Sequence, residues 1–410
     1  MEGTPDGRWE AGTMVTDGAA EPDVGQAASP PPEPLPPPDS LPRRAFLGMA
    51  AGALMGGVGT ACSGPEAVGS AAVITQPNVQ WRLASSYPRT IDALFGSSEI
   101  LAEKLSAITD GRFQLRNYSA GELVPALEVF DAVQGGSVQV GHTPAYYYTG
   151  RNPALAFDTT VPFGLTARQQ NAWILDGGGM ELMRSLYSDF GLMNFLGGNT
   201  GVQMGGWFRR EIPSLAELQG IRMRIPGMGG EVMSQMGVNV QVLGGSEIYP
   251  ALERGAIDAT EWVGPYDDEK LGFHRVAPFY YYPGWWEPGP ASTFMVNRAA
   301  WDALPSSYQQ AFEVAAAAAA QRTQTIYDAR NPEALARLVA GGTQLRRFSE
   351  DIMTAALQTS REVIEAAAAA DPGNYGRVYT AWKKFREDSF RWFATSEQEY
   401  ERFAFQSPVL

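Results

Sequence analysis

The sequence predicts an α/β protein of two lobes followed by a helical last third. Two observations carry this. Between residues 79 and 300 the hydrophobic period switches repeatedly between about 2 and 3.6, as strands alternating with helices require. Beyond Pro305 the pattern is helical with few interruptions. Residues 79–84 alternate as a strand. Residues 92–108 carry Leu94, Ile100, Leu101, Leu105 and Ile108 near helical spacing and stop at Asp110-Gly111. Residues 113–117 read as a strand, 125–133 as a helix with Pro125 in its first turn and Gly135-Gly136 at its end, and 138–141 as a strand. This alternation argues for a parallel sheet. A second α/β region spans about 203–300. Helices follow at 305–330, 332–339, 349–370 and 375–403. The alanine runs 315–320 and 366–370 are strong helix formers and carry no chemistry. No long linker interrupts 79–410, so the two lobes are joined by several crossings.

Composition narrows the function. The chain has 410 residues, with 31 Lys plus Arg against 45 Asp plus Glu, a net charge of −14. Such a surface repels phosphate backbones, which argues against nucleic acid as a partner. One Cys and two His exclude a disulfide framework, a zinc finger and a multi-histidine metal site. An apolar content of 44% is ample for a large core.

The first 42 residues differ from the rest. They hold 10 of the 29 prolines and eight acids against the single base Arg8. They are expected to be a disordered extension, or to reflect a start codon placed too early. Arg43-Arg44-Ala45-Phe46-Leu47 then precedes an uncharged run to Ala61. Seventeen residues with five glycines are too few for a membrane span. Paired arginines before a short apolar stretch resemble a twin-arginine export signal, so 43–62 is read as a signal and the mature protein as periplasmic. Gly59-Thr60-Ala61-Cys62 resembles a lipoprotein cleavage box, although Gly59 stands where a branched apolar residue is usual. Either lipid anchoring at Cys62 or ordinary cleavage nearby fits. Residues 63–78 are a linker.

Nucleotide and hydrolase motifs are missing: there is no GxxxxGK[ST], no GxGxxG after a strand and no GxSxG. His142, after a strand, reads more readily as a hydrogen-bonded structural residue than as a site residue. His274 reads as a surface residue. Three stretches are harder to explain as scaffold. In the first, five glycines surround Gln203, from Gly197 to Gly206, and permit close backbone approach. In the second, Ile221, Met223 and Ile225 alternate with Arg222 and Arg224, so both guanidiniums share one strand face. That face is solvent, an ion-pair strip or an anion site, and Pro226 ends it. In the third, Glu261 lies among apolar and aromatic residues and needs a cation, a donor or a metal, while Tyr280 to Trp286 are either core or the wall of a pocket.

The strings GNTGVQMGGW, GIRMRIPG, LGGSEIYPALERGAIDATEWVGPYDD and YYYPGWWEPG together resemble the substrate-binding subunit of tripartite ATP-independent periplasmic (TRAP) transporters. They are most similar to the branch that binds 2-oxo acids or lactate with a metal ion. The resemblance covers about 79–410. It implies a two-lobe clamshell of the periplasmic binding protein kind, with a long helix spanning both lobes and C-terminal helices. It implies capture, not catalysis. By the resemblance, Arg222 pairs with the substrate carboxylate, and Arg224 is a supporting or surface residue. Gln203, Glu261 and the backbone carbonyl of Trp262 hold the cation. One of Tyr146, Tyr147 and Tyr148 donates to the ligand, Tyr147 being the choice here, with Asn199 also beside the substrate. An amide oxygen, a carboxylate and a carbonyl are hard ligands suited to Na⁺ or Ca²⁺. Trp286 departs from a His common at its position. The implied partners are a small 2-oxo or 2-hydroxy monocarboxylate, TRAP membrane subunits, and a second copy joined through a C-terminal helix. Two rivals remain: a solute sensor docking to a signalling receptor, and an exported hydrolase using Glu261 and Glu287 as an acid pair.

Overall fold

In the computed structural model, residues 76–406 are described, within the compact unit Val73–Leu410. The extension expected at 1–42, the signal at 43–62 with Cys62, and most of the linker lie outside the described residues.

Two sheets organise this unit. The first contains β1 (Val79–Ser85), β2 (Phe113–Tyr118), β3 (Val140–Thr143) and β4 (Leu192–Asn199). The second contains β5 (Trp207–Phe208), β6 (Arg222–Arg224), β7 (Asn239–Gln241), β8 (Ala259–Thr260) and β9 (Phe279–Tyr282). The chain then returns to the first sheet as β10 (Ala291–Asn297) and, after a long helix, adds β11 (Gln344–Arg347) to the second. The strand orders are β2-β1-β3-β10-β4 and β11-β9-β5-β8-β6-β7.

The expected parallel sheet is only partly found. β1 pairs parallel with β2 and β3, and β6 pairs parallel with β7 and β8. β10 runs antiparallel to both β3 and β4, and β5 antiparallel to both β8 and β9. The antiparallel strands adjoin the segments where the chain crosses between sheets. No helix turns the chain round there, so direction reverses.

The glycine-rich approach to β5 meets a tight packing demand. Gly206 has φ +83°, and a Cβ there would lie 2.3 Å from the Thr260 carbonyl oxygen.

The long helix Ser306–Ala340 packs on the helix Leu94–Ile108 and β4 of the first lobe, and on the helix Pro265–Leu271 of the second. Sequence reading broke it at Pro332; the structure does not. Pro332 lies on the exposed side, while Tyr327, Ala334 and Leu338 are buried on either side of it and hold the helix. β11 escaped notice because Gln344–Arg347 has one apolar residue and joins as an edge strand. Helices Glu350–Ala370 and Tyr375–Phe393 follow, and a wider turn at Ala394–Gln398 leads into Glu399–Ala404. No helix among the described residues is long and apolar enough to cross a membrane.

The long helix is tied to the second lobe through a buried carboxylate. Tyr327 donates its hydroxyl to Asp267 at 2.6 Å, and the other Asp267 oxygen has no partner. Burial pushes the Asp267 carboxyl up to about 7. The folded chain therefore holds a proton that the unfolded chain releases between about pH 4 and 7, so this group adds stability as pH falls through 7. In urea denaturation between pH 7 and 5, Asp267→Asn should reduce the rise in stability by about 1.4 kcal/mol per pH unit. An unchanged slope would show that Asp267 is ionised in the fold.

Candidate functional site

A small cavity of about 20 Å³, room for little more than a water, lies between the sheets. The second lobe supplies Arg224 and Trp262, the first supplies Tyr87, Tyr147 and Ser292, and the crossing between β4 and β5 supplies Gln203.

Arg224 is the last residue of β6, at its carboxyl end, where open parallel sheets present ligands. Its guanidinium is buried and fixed on several sides. Nε donates to the Leu243 carbonyl at 3.1 Å, and Nη2 to the Tyr147 hydroxyl at 3.1 Å. Nη1 donates to the Glu261 carbonyl oxygen at 3.3 Å and to its carboxylate Oε1. The guanidinium carbon sits 5.3 Å from the Trp262 ring centre. Of five N–H groups, one on Nη2 is left for a ligand.

Three buried oxygens nearby have no partner: Gln203 Oε1, Glu261 Oε2 and Glu287 Oε2. Gln203 is fixed by its Nε2, which donates to Thr200 Oγ1 at 3.1 Å, and by its backbone N–H, which donates to the Glu287 carbonyl at 3.1 Å. Burial pushes the Glu261 carboxyl up to about 7, against the pull of Arg224. Burial also raises Glu287 far above the carboxylate range, and the Glu261 charge adds to this. An amide oxygen and two carboxylate oxygens, buried and unpaired, fit a hard cation. Among the described residues no group of three or more His, Cys, Asp and Glu could hold a metal. A site here would therefore depend on the Gln203 amide as well.

The structure brings Gln203, Trp262 and Tyr147 to the cavity, with Glu261 directly behind Arg224. It does not bring Arg222 there. Arg222 opens β6 at the other end, and its half-exposed side chain makes a two-pronged pair with Asp258, at 2.9 Å from Nε and 2.7 Å from Nη2. Both arginines do share the strand face. Position along the strand separates them, the first over solvent and the third at the cleft. Asn199 is likewise absent from the cavity wall. Its Nδ2 donates to Gly289 O at 3.0 Å and Asn171 Oδ1 at 3.2 Å, and its Oδ1 accepts from Gly201 N–H at 3.0 Å. It clasps two crossings together. Arg224 is a partner of the kind that Glu261 requires. Trp286 packs in the core against Phe348 and forms no part of the cavity wall. Sequence reading considered Glu287 only as a hydrolase acid. Its place in WWEPG, an acid directly after two tryptophans, signals burial as EW does for Glu261.

Comparison with known proteins gives the family of the chain. Residues 85–371 match the family model of the bacterial extracellular solute-binding proteins, family 7, and the chain belongs to that family. Its members are receptors that bind solutes for transporters, not enzymes. A monocarboxylate 2-oxoacid-binding periplasmic protein of Nostoc is 53% identical over 331 residues, 81% of this chain and 90% of the relative. The solved TRAP transporter solute-binding protein of Bordetella bronchiseptica, a mixed-occupancy dimer with calcium and picolinate, is 46% identical. The match covers 80% of this chain and 98% of that one, with a TM-score of 0.79. That of Pseudoalteromonas atlantica, with sodium and pyruvate, is 39% identical over 79% of this chain and 99% of that one, with a TM-score of 0.77.

The two arginines should separate in stability. Arg224→Ala leaves Glu261 as a buried, unpaired charge and should cost about 3–5 kcal/mol in urea denaturation. Arg222→Ala, at an exposed pair, should leave the midpoint unchanged. Equal effects would contradict the assignment of Arg224 as the interior partner.

Proposed function

We propose that this receptor captures a small 2-oxo or 2-hydroxy monocarboxylate together with a bridging cation and delivers it to TRAP membrane subunits. The observation that carries this reading is the triad of unpaired buried oxygens on Gln203, Glu261 and Glu287 beside a buried arginine with one free N–H. An oxygen set of this kind takes Na⁺ or Ca²⁺. Gln203, Glu261 and Glu287 would hold the ion, with the Trp262 carbonyl next in the chain. The bound ion would neutralise the carboxylates and attract an acid. Arg224 binds that acid's carboxylate, the role sequence reading gave to Arg222. Tyr147 keeps the guanidinium aimed from the other lobe. Counting Arg224 against Glu261, Glu287 and the ligand, Ca²⁺ leaves the assembly neutral. Na⁺ does so if Glu287 keeps its proton. The ligand's contacts come from both lobes, so binding favours the closed state by the difference in contact energy. The relatives bound to picolinate and pyruvate with a cation support the same chemistry.

The finer points of assembly and export belong to the same reading. A second copy joining through the C-terminal helix suits the large aromatics left exposed there: Trp392, Tyr400 and Phe405 are 62%, 71% and 82% exposed. The dimer of the Bordetella relative is consistent with it. Export by the twin-arginine segment, with Cys62 as the lipid site, suits a solute receptor working outside the cytoplasm.

Thermal melting tests the reading. After chelation in a Na⁺-free potassium buffer, the potassium salt of pyruvate alone should leave the midpoint unmoved. With Ca²⁺ or Na⁺ restored, it should raise the midpoint by several degrees. Gln203→Ala should lose most of that rise at equal acid and cation. A rise that persists with both Ca²⁺ and Na⁺ absent, or one given equally by sugars, would overturn it.

A further inference from the structure

The first lobe lines the cavity with a serine hydroxyl whose one partner among the described residues is a histidine nitrogen. Ser292 lies on β10 at a bulge, where the register against β4 shifts between Ser292 and Thr293. Bulges re-aim side chains beside functional sites. Here Thr293 donates to the buried Asp158 at 2.5 Å, while Ser292 faces the cavity and is 3% exposed. Among the described residues, the one hydrogen-bond partner of Ser292 Oγ is His142 Nε2, at 3.0 Å.

The state of His142 decides what Ser292 can do. The ring is fully buried between Tyr87 and Phe294, at ring-centre distances of 5.0 and 4.7 Å, and its Nδ1 has no partner. Burial lowers its pKa to about 3, so the ring is neutral and carries one N–H. With the proton on Nδ1, that N–H would be stranded in apolar surroundings, and Ser292 would spend its own hydrogen on Nε2. With the proton on Nε2, the N–H donates to Ser292 Oγ and only a lone pair is left without a partner. Buried N–H groups without acceptors are the rarer arrangement. The Nε2–H form therefore prevails, and the Ser292 hydrogen is free to point into the cavity.

We propose that Ser292, oriented by the Nε2–H tautomer of His142, donates a hydrogen bond to an oxygen of the bound acid. This rests on the acid-binding reading above. It makes Ser292 a ligand contact and His142 a positioning residue. It also gives each lobe a grip on the ligand, Arg224 from the second sheet and Ser292 from the first.

The sequence has two His, and His274 is half-buried, so nitrogen-15 NMR of the imidazoles reads His142 without ambiguity. The ligand-free protein should show His142 protonated at Nε2 alone, unchanged across neutral pH. By calorimetry with pyruvate and Ca²⁺, Ser292→Ala should bind about tenfold more weakly or worse. His142→Phe, which keeps the ring packing, should also weaken binding, and adding Ser292→Ala to it should cost less than tenfold. A proton on Nδ1, or Ser292→Ala binding like the wild type, overturns the proposal and leaves the acid-binding reading intact. A wild type that binds no 2-oxo acid overturns both.

Discussion

The site is organised by one buried ion pair, Arg224 with Glu261. Both side chains are almost wholly withdrawn from water, at 1% and 0% exposure. Such a pair is expensive to desolvate, and it persists only where further hydrogen bonds satisfy the remaining groups. The Leu243 carbonyl, the Tyr147 hydroxyl and the Trp262 face do this for Arg224. Glu261 is not so served, because its second oxygen has no protein partner. The same is true of Glu287 and of the Gln203 amide oxygen. A protein core does not ordinarily tolerate three such groups together. The incompleteness is what a cation and a carboxylate would relieve, so the cost of the site in the empty state becomes affinity in the filled one.

The architecture explains how these groups meet. β4 leaves the first sheet and β10 returns to it, so residues from one crossing and two lobes face a single cavity. Asn199 and Gln203 hold the crossings to each other through Gly289 and Glu287. The long helix packs on both lobes and limits how they move. The Tyr147 to Arg224 hydrogen bond is the direct polar link across the cleft at the site. A ligand that takes over or reinforces that link couples its own binding to closure.

Much of this was legible in the sequence, for identifiable reasons. Alternating periods exposed the strands and helices of both lobes, and the carboxylate among aromatics at Glu261 announced a buried partner. The choice between Arg222 and Arg224 was not legible from alternation, because both occupy the same face. What separates them is depth along a three-residue strand, with Arg222 opening it over solvent and Arg224 closing it at the cleft. Asn199 looked like a ligand group because a polar side chain in a glycine-rich turn has two uses, and the sequence does not say which. Pro332 misled because its cost is local, whereas the packing that overrides it comes from elements distant in sequence. Trp286 was a doubt about the pocket wall and proved to be core.

A crystal structure of the protein grown with pyruvate and Ca²⁺ tests the central claim most directly. The account predicts the pyruvate carboxylate within hydrogen-bond distance of the Arg224 guanidinium, and anomalous density for calcium coordinated by Gln203 Oε1 and the Glu261 carboxylate. Pyruvate seated at Arg222, or bound between the lobes without a cation on Gln203 and Glu261, would contradict it.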